Sequence, residues 1–89
     1  MTSLYLLVRG RVQGVGFRYT AWELAHMAGL AGWVRNREDG TVEAEVEGER
    51  EAVERFVLAL KDACPAARVD GIERKAIPPR GRKDFEIRG

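Results

Sequence analysis

The sequence predicts an α+β sandwich: a four- to five-stranded, mostly antiparallel sheet with two helices packed on one face. Three observations lead there. Two segments repeat apolar residues at helical spacing: Phe17, Ala21, Leu24, Ala25 and Ala28 in one, Val53, Phe56, Val57, Leu60 and Cys64 in the other. Between them one stretch alternates cleanly, with Val42, Ala44 and Val46 on one side and Thr41, Glu43, Glu45 and Glu47 on the other. The element order is strand, helix, strand, strand, helix, strand, with a short extra strand. Two apolar helix stripes then need one common dry surface, and the sheet supplies it.

In chain order, Leu4 to Val12 reads as a strand. Leu4, Leu6 and Val8 point one way and Tyr5 and Leu7 the other, so an interior position is expected. A glycine-rich stretch follows, then the first helix, which Gly29 is expected to stop. Gly32 to Asn36 is a second strand, and Asp39-Gly40 is a strong hairpin turn. The glutamate row of the third strand is expected to be a solvated face rather than a cation site. Gly48 separates that strand from the second helix, whose first turn carries Glu49 and Glu51 and whose end is expected at Pro65. Val69 to Ile77 is a fourth strand weakened by Gly71, Pro78-Pro79-Arg80-Gly81 is a loop, and Phe85 with Ile87 forms the last strand. The basic Arg80-Gly81-Arg82-Lys83 run is expected to be a solvated loop. This order is the ferredoxin-like split β-α-β arrangement, in which the first and third strands sit side by side at the centre.

Eighty-nine residues predict one domain over 1–89. A 45% hydrophobic share argues against disorder, and a net charge of +1 gives no footprint for nucleic acid or membrane. No apolar run approaches a membrane span and no leader segment is evident. The lone Cys64 excludes an internal disulfide framework, which points to a cytoplasmic protein; a monomer is expected. His26 and Cys64 are the only soft metal ligands and share no ligand spacing, so no metal is expected.

The candidate chemistry lies in Gly10-Arg11-Val12-Gln13-Gly14-Val15-Gly16-Phe17-Arg18. Glycines let a bend turn several N–H groups into one concavity, and the following helix adds its free amides and positive dipole end. Arg18 stands at that junction, and its charged fork suits two oxygens of one phosphate. From these residues alone, a phosphate cradle and a plain strand–helix connection weigh about equally. Two other nucleotide loops are excluded: no Lys follows the last glycine, and Tyr19 occupies the third glycine position of a G-x-G-x-x-G pattern. His26 reads as an exposed helix histidine, since nothing nearby completes a dyad, and Cys64 as a buried small hydrophobe. Asn36 has the donors and acceptor to hold a water beside a phosphate, although by itself it reads more readily as the residue introducing the turn.

Taken together, Gly10 to Arg18, Gly32-Trp33-Val34-Arg35-Asn36, Gly40-Thr41-Val42 and Gly48 resemble the acylphosphatase family, and the resemblance spans essentially the whole chain. It implies hydrolysis of the carboxyl–phosphate anhydride of acyl phosphates to a carboxylate and inorganic phosphate, without metal or organic cofactor. It implies that Gly14, Val15, Gly16, Phe17 and Arg18 bind the phosphoryl group, that Arg18 is the catalytic arginine and that Asn36 orients the attacking water. Two positions depart from the usual pattern. Gly16 stands where many members carry a bulky apolar residue, and Arg37 where a small hydroxyl residue is often found. Two other readings are weighed: a free-standing relative of the acylphosphatase-like domain of larger carbamoyl-phosphate-using maturation proteins, and an RNA-binding module. The first is expected to carry attached domains, and for the second Glu43, Glu45 and Glu47 are expected to repel phosphates.

Overall fold

The computed structural model describes residues 1–89. Strands β1 (Thr2–Arg11), β2 (Ala31–Asn36), β3 (Val42–Gly48), β4 (Arg68–Ala76) and β5 (Phe85–Arg88) form one sheet in the order β4-β1-β3-β2-β5. All neighbours are antiparallel except β2 and β5. Helices α1 (Phe17–Met27) and α2 (Arg50–Leu60) cover one face, giving the expected ferredoxin-like α+β sandwich.

Alternation decides which residues enter the core. Leu4, Leu6 and Val8 of β1 join Val42, Ala44 and Val46 of β3 and Val34 of β2 on the helix side. Phe17, Ala21 and Ala25 of α1 and Val53, Phe56, Val57 and Leu60 of α2 close over them. The hairpin from β2 to β3 turns where expected: Asp39 Oδ1 accepts from the backbone N–H and hydroxyl of Thr41, at 3.0 and 2.6 Å, while Gly40 takes a positive φ. Gly32 has φ +141°, and a Cβ there would stand 1.9 Å from the Glu45 carbonyl oxygen. Only glycine lets β2 approach β3 that closely.

Two expectations are corrected. The second helix ends at Leu60, not at Pro65. Asp62 N–H reaches back to the Ala59 carbonyl in a tightened turn, and the chain bends so that Cys64 still enters the core from beyond the helix. The glutamate row is the second correction. Glu43 and Glu47 are 6% and 4% exposed, and Glu45 is nearly covered as well. The Arg80–Lys83 run, an exposed loop as expected, also forms the cover over Glu45 and Glu47. Backbone N–H groups of Arg80, Gly81 and Arg82 all donate to the Glu47 carboxylate, at 2.6, 2.9 and 3.2 Å. The Arg80 and Arg82 guanidinium groups reach Glu45, and Arg35 and the Tyr5 hydroxyl bind Glu43. Charges distant in sequence thus neutralise each other across the outer face. The segment strapped there leads into β5.

The amide donors, that of Arg80 foremost, hold the Glu47 carboxyl below the usual glutamate range. Burial pushes Glu43 upward, but the Tyr5 hydroxyl and the Arg35 guanidinium outweigh it and its pKa also falls. A carboxyl with a depressed folded-state pKa stabilises above its unfolded value and loses that contribution as pH drops through the folded one. Unfolding free energy from urea titrations should therefore fall steadily below about pH 4.3, and Glu47→Gln should flatten that decline. In the same assay at neutral pH, Gly32→Ala should cost roughly 2–4 kcal/mol, because both its φ and the Glu45 carbonyl resist a methyl group.

Candidate active site

The strand directions bring the site together. β1 and β2 both run antiparallel to β3, so their C-terminal ends emerge at the same edge. The registers share a pivot: Val42 pairs with Val8 on one side and with Asn36 on the other. β5, parallel to β2, also ends there, and α1 begins there. Asn36 lies two residues beyond Val34 and so projects to the same face, toward the helices.

The glycine bend occupies this edge. Gly14 and Gly16 have φ of +72° and +81°, and Gly16 caps α1 with no side chain bonded to the helix amides. From Gly14 to Tyr19 no backbone N–H donates to a protein acceptor. A run of free amides at a helix N-terminus is an anion site by both geometry and dipole. Arg18, in the first turn of α1, is half-buried, and its Nη1 donates to the Arg88 carbonyl of β5 at 3.1 Å. That bond leaves four N–H donors of the guanidinium for a ligand.

Val12, Gly14, Gly16, Phe17, Arg18, Tyr19, Asn36 and Ile87 line a cleft of about 180 Å³. Several times the roughly 30 Å³ that a water occupies in the liquid, the cleft has room for a phosphoryl group and a water. The Asn36 Oδ1 atom is buried and has no hydrogen-bond partner. An orphaned buried acceptor is costly unless a ligand or solvent molecule completes it. A wider groove of about 560 Å³ adjoins at Asn36 on the arginine-bearing side of the hairpin. Its Arg35 is claimed by Glu43 and its Arg37 faces Asp39, so it offers less unclaimed positive charge than the bend.

Of the residues expected in the site, Gly14, Gly16, Phe17, Arg18 and Asn36 line this cleft. Val15 does not; it packs against the core, and its carbonyl accepts the Cys64 thiol at 3.4 Å. Cys64 is buried as expected. His26 is exposed and lies outside the cleft, stacked on Trp22 with ring centroids 5.2 Å apart. Five contributors were not singled out from sequence, Val12 of the cleft lining among them. Tyr19 and Ile87 give the cleft an apolar flank. Arg88 acts through a backbone carbonyl, for which side-chain identity gives no signal. Gln13 bridges from the bend to the hairpin, its Nε2 donating to the carbonyls of Arg37 and Thr41 at 2.6 and 2.9 Å. Its only trace in sequence is an amide at the entry to a glycine bend.

Fold and cleft together define a small α+β sandwich with a glycine bend, a half-buried arginine and an unpartnered amide oxygen at the carboxyl edge of its sheet. The acylphosphatase family profile matches residues 4–87. An acylphosphatase of Anaeromyxobacter dehalogenans is 52% identical over 93% of this chain and 90% of its own. The crystal structure of the Bacillus subtilis acylphosphatase superposes with a TM-score of 0.97 at 41% identity, covering 100% of both chains. The HypF structure from T. kodakarensis is also similar, with a TM-score of 0.88 and 40% identity over 100% of this chain but 12% of that one. The chain belongs to the acylphosphatase family. Its substrates are small acyl phosphates, whose carboxyl–phosphate bond it hydrolyses. The comparisons support this reading rather than the RNA-binding module. The repulsion argued from the glutamate row also needs revision, since the row is neutralised by the strap rather than presented to solvent. No helix is long and apolar enough to cross a membrane.

Proposed function

We propose that Arg18 and the amides of residues 14–18 hold the phosphoryl group, and that Asn36 holds the water that attacks it. The observation that carries this reading is the convergence of Arg18, the glycine bend and an unpartnered Asn36 Oδ1 on one cleft. The water oxygen forms the new bond to phosphorus as the bond from phosphorus to the acyl oxygen breaks. The acyl group leaves as a carboxylate, a good leaving group that needs no general acid. The water's proton passes to a phosphoryl oxygen of the substrate, since no side chain in the cleft is a candidate base. Amides and guanidinium stabilise charge as it redistributes over the phosphoryl oxygens, so positioning and electrostatics supply the catalysis, without metal or cofactor.

The Arg88 carbonyl supports the role given to Arg18. A fork held at one corner reaches the transition state with less freedom to lose than a free side chain. The reading treats residues 1–89 as one domain, in keeping with a single 18-residue core cluster shared by the sheet and both helices. It takes the protein to act as a monomer in the cytoplasm, a compartment that suits its lone unpaired cysteine.

Hydrolysis of benzoyl phosphate by site variants tests the assignment. Arg18→Ala should lower kcat by about a thousandfold or more and weaken inhibition by inorganic phosphate. Arg18→Lys should recover less than about a tenth of wild-type kcat, because a point charge lacks the fork. Asn36→Ala should lower kcat roughly a hundredfold while phosphate inhibition changes less than about twofold. Wild-type turnover in Asn36→Ala would remove the water-holding role. Exhaustive treatment with a chelator should leave activity unchanged; loss reversed by a divalent ion would contradict the metal-free mechanism.

A further inference from the structure

Gln13 joins two parts of the site that no other side chain connects by a hydrogen bond. It lies two residues past the end of β1, at the start of the glycine bend. Its amide nitrogen donates to both the Arg37 and Thr41 carbonyls. Those two residues form the neck of the hairpin: Arg37 N–H donates to Thr41 at 2.8 Å, and Gly40 N–H donates to Arg37 at 3.3 Å. The neck begins one residue after Asn36, and the last ladder pair below it is Asn36 with Val42. One amide group thus spans from the phosphate-binding bend to the base of the turn carrying Asn36. It uses both of its N–H donors to do so.

Val12, Val15 and Phe17 seat the bend in the core, but no other hydrogen bond ties it to the hairpin neck. Beyond Val12 the bend has no ladder, and its amides from Gly14 onward are unclaimed. Beyond Asn36 the hairpin tip is exposed. Arg37, standing where a small hydroxyl residue is often found, sends its side chain toward Asp39 and adds no bond to the bend. Gln13 is therefore the one hydrogen-bonded tie between the bend and the hairpin neck.

We infer that Gln13 is a positioning residue that holds the Asn36 side chain at working distance from the bound phosphoryl group. This rests on the roles given above to Arg18 and Asn36. Gln13 touches neither the phosphoryl group nor the water; it acts on turnover by holding the hairpin in register with the bend. Removing it leaves the amides and Arg18 free to bind phosphate, but lets the water-bearing amide drift. Displacements of about an ångström at a reacting centre cost up to about a hundredfold in rate.

The test is a double-mutant cycle read by benzoyl phosphate hydrolysis and by inhibition with inorganic phosphate. Gln13→Met keeps the length and removes both donors; Gln13→Asn keeps the amide but is too short to span both carbonyls, and serves if the first variant does not fold. Either should lower kcat about ten- to a hundredfold, with phosphate inhibition changed less than about twofold. In an Asn36→Ala background the same substitution should change kcat less than about twofold, because the residue it positions is gone. A kcat loss of equal size in both backgrounds would overturn the inference, as would unchanged kcat in the single variant or a parallel loss of phosphate binding. Wild-type turnover in Asn36→Ala alone would instead overturn the role of Asn36, so the two failures are told apart.

Discussion

The placement of β3 between β1 and β2 is the constraint on which everything else in the molecule depends. Pairing antiparallel to both, it forces two strands distant in sequence to point the same way and end at one edge. The edge then receives the bend after β1, the N-terminus of α1, the last residue of β2 and the end of β5. Gly32 shows how closely this packing is drawn, since a methyl group there would strike the β3 backbone. The candidate site residues meet because of a pairing pattern, not because any one segment carries them all.

Chemically the site is sparse, and the substrate explains why. An acyl phosphate brings its own leaving group, so the protein has to supply charge stabilisation and a located water. In the proposed mechanism, backbone amides freed by two left-handed glycines and one guanidinium do the first. An amide side chain with a buried, unpartnered oxygen is proposed to do the second. Of the groups whose pKa values shift, Tyr5, Glu43 and Glu47 lie on the outer face, Asp39 in the hairpin turn and Glu54 on α2, and none lines the cleft. Acid should therefore act on this protein through stability before it acts through the chemistry of the cleft.

Sequence periodicity carried the fold well. The helix stripes, the alternation of Val42, Ala44 and Val46, and the Asp39-Gly40 turn all report local geometry, and all were legible. Arg18 and Asn36 were legible only jointly, through two motifs at family spacing; alone, Asn36 looked like a turn residue. What was missed shares one physical cause. The pairing of Glu45 and Glu47 with Arg80 and Arg82, the carbonyl of Arg88 beneath Arg18, and the reach of Gln13 to the hairpin neck are all long-range polar contacts. A row of glutamates reads as solvent-facing until the arginines that cover it arrive more than thirty residues later. Likewise Pro65 looked like a helix stop, but the helix had already ended at Leu60 and the chain had bent to bring Cys64 into the core.

The central claim is that a phosphoryl group seats on the free amides of residues 14–18 within reach of Asn36. A two-dimensional amide NMR titration with inorganic phosphate tests it most directly, because it observes each donor separately. The account predicts saturable shifts concentrated on Gly14 to Tyr19, the Arg18 Nε–H and the Asn36 side-chain amide, all lost in Arg18→Ala. Shifts centred on the Arg80–Lys83 segment or on the Arg35–Arg37 groove, with the glycine bend unmoved, would contradict it.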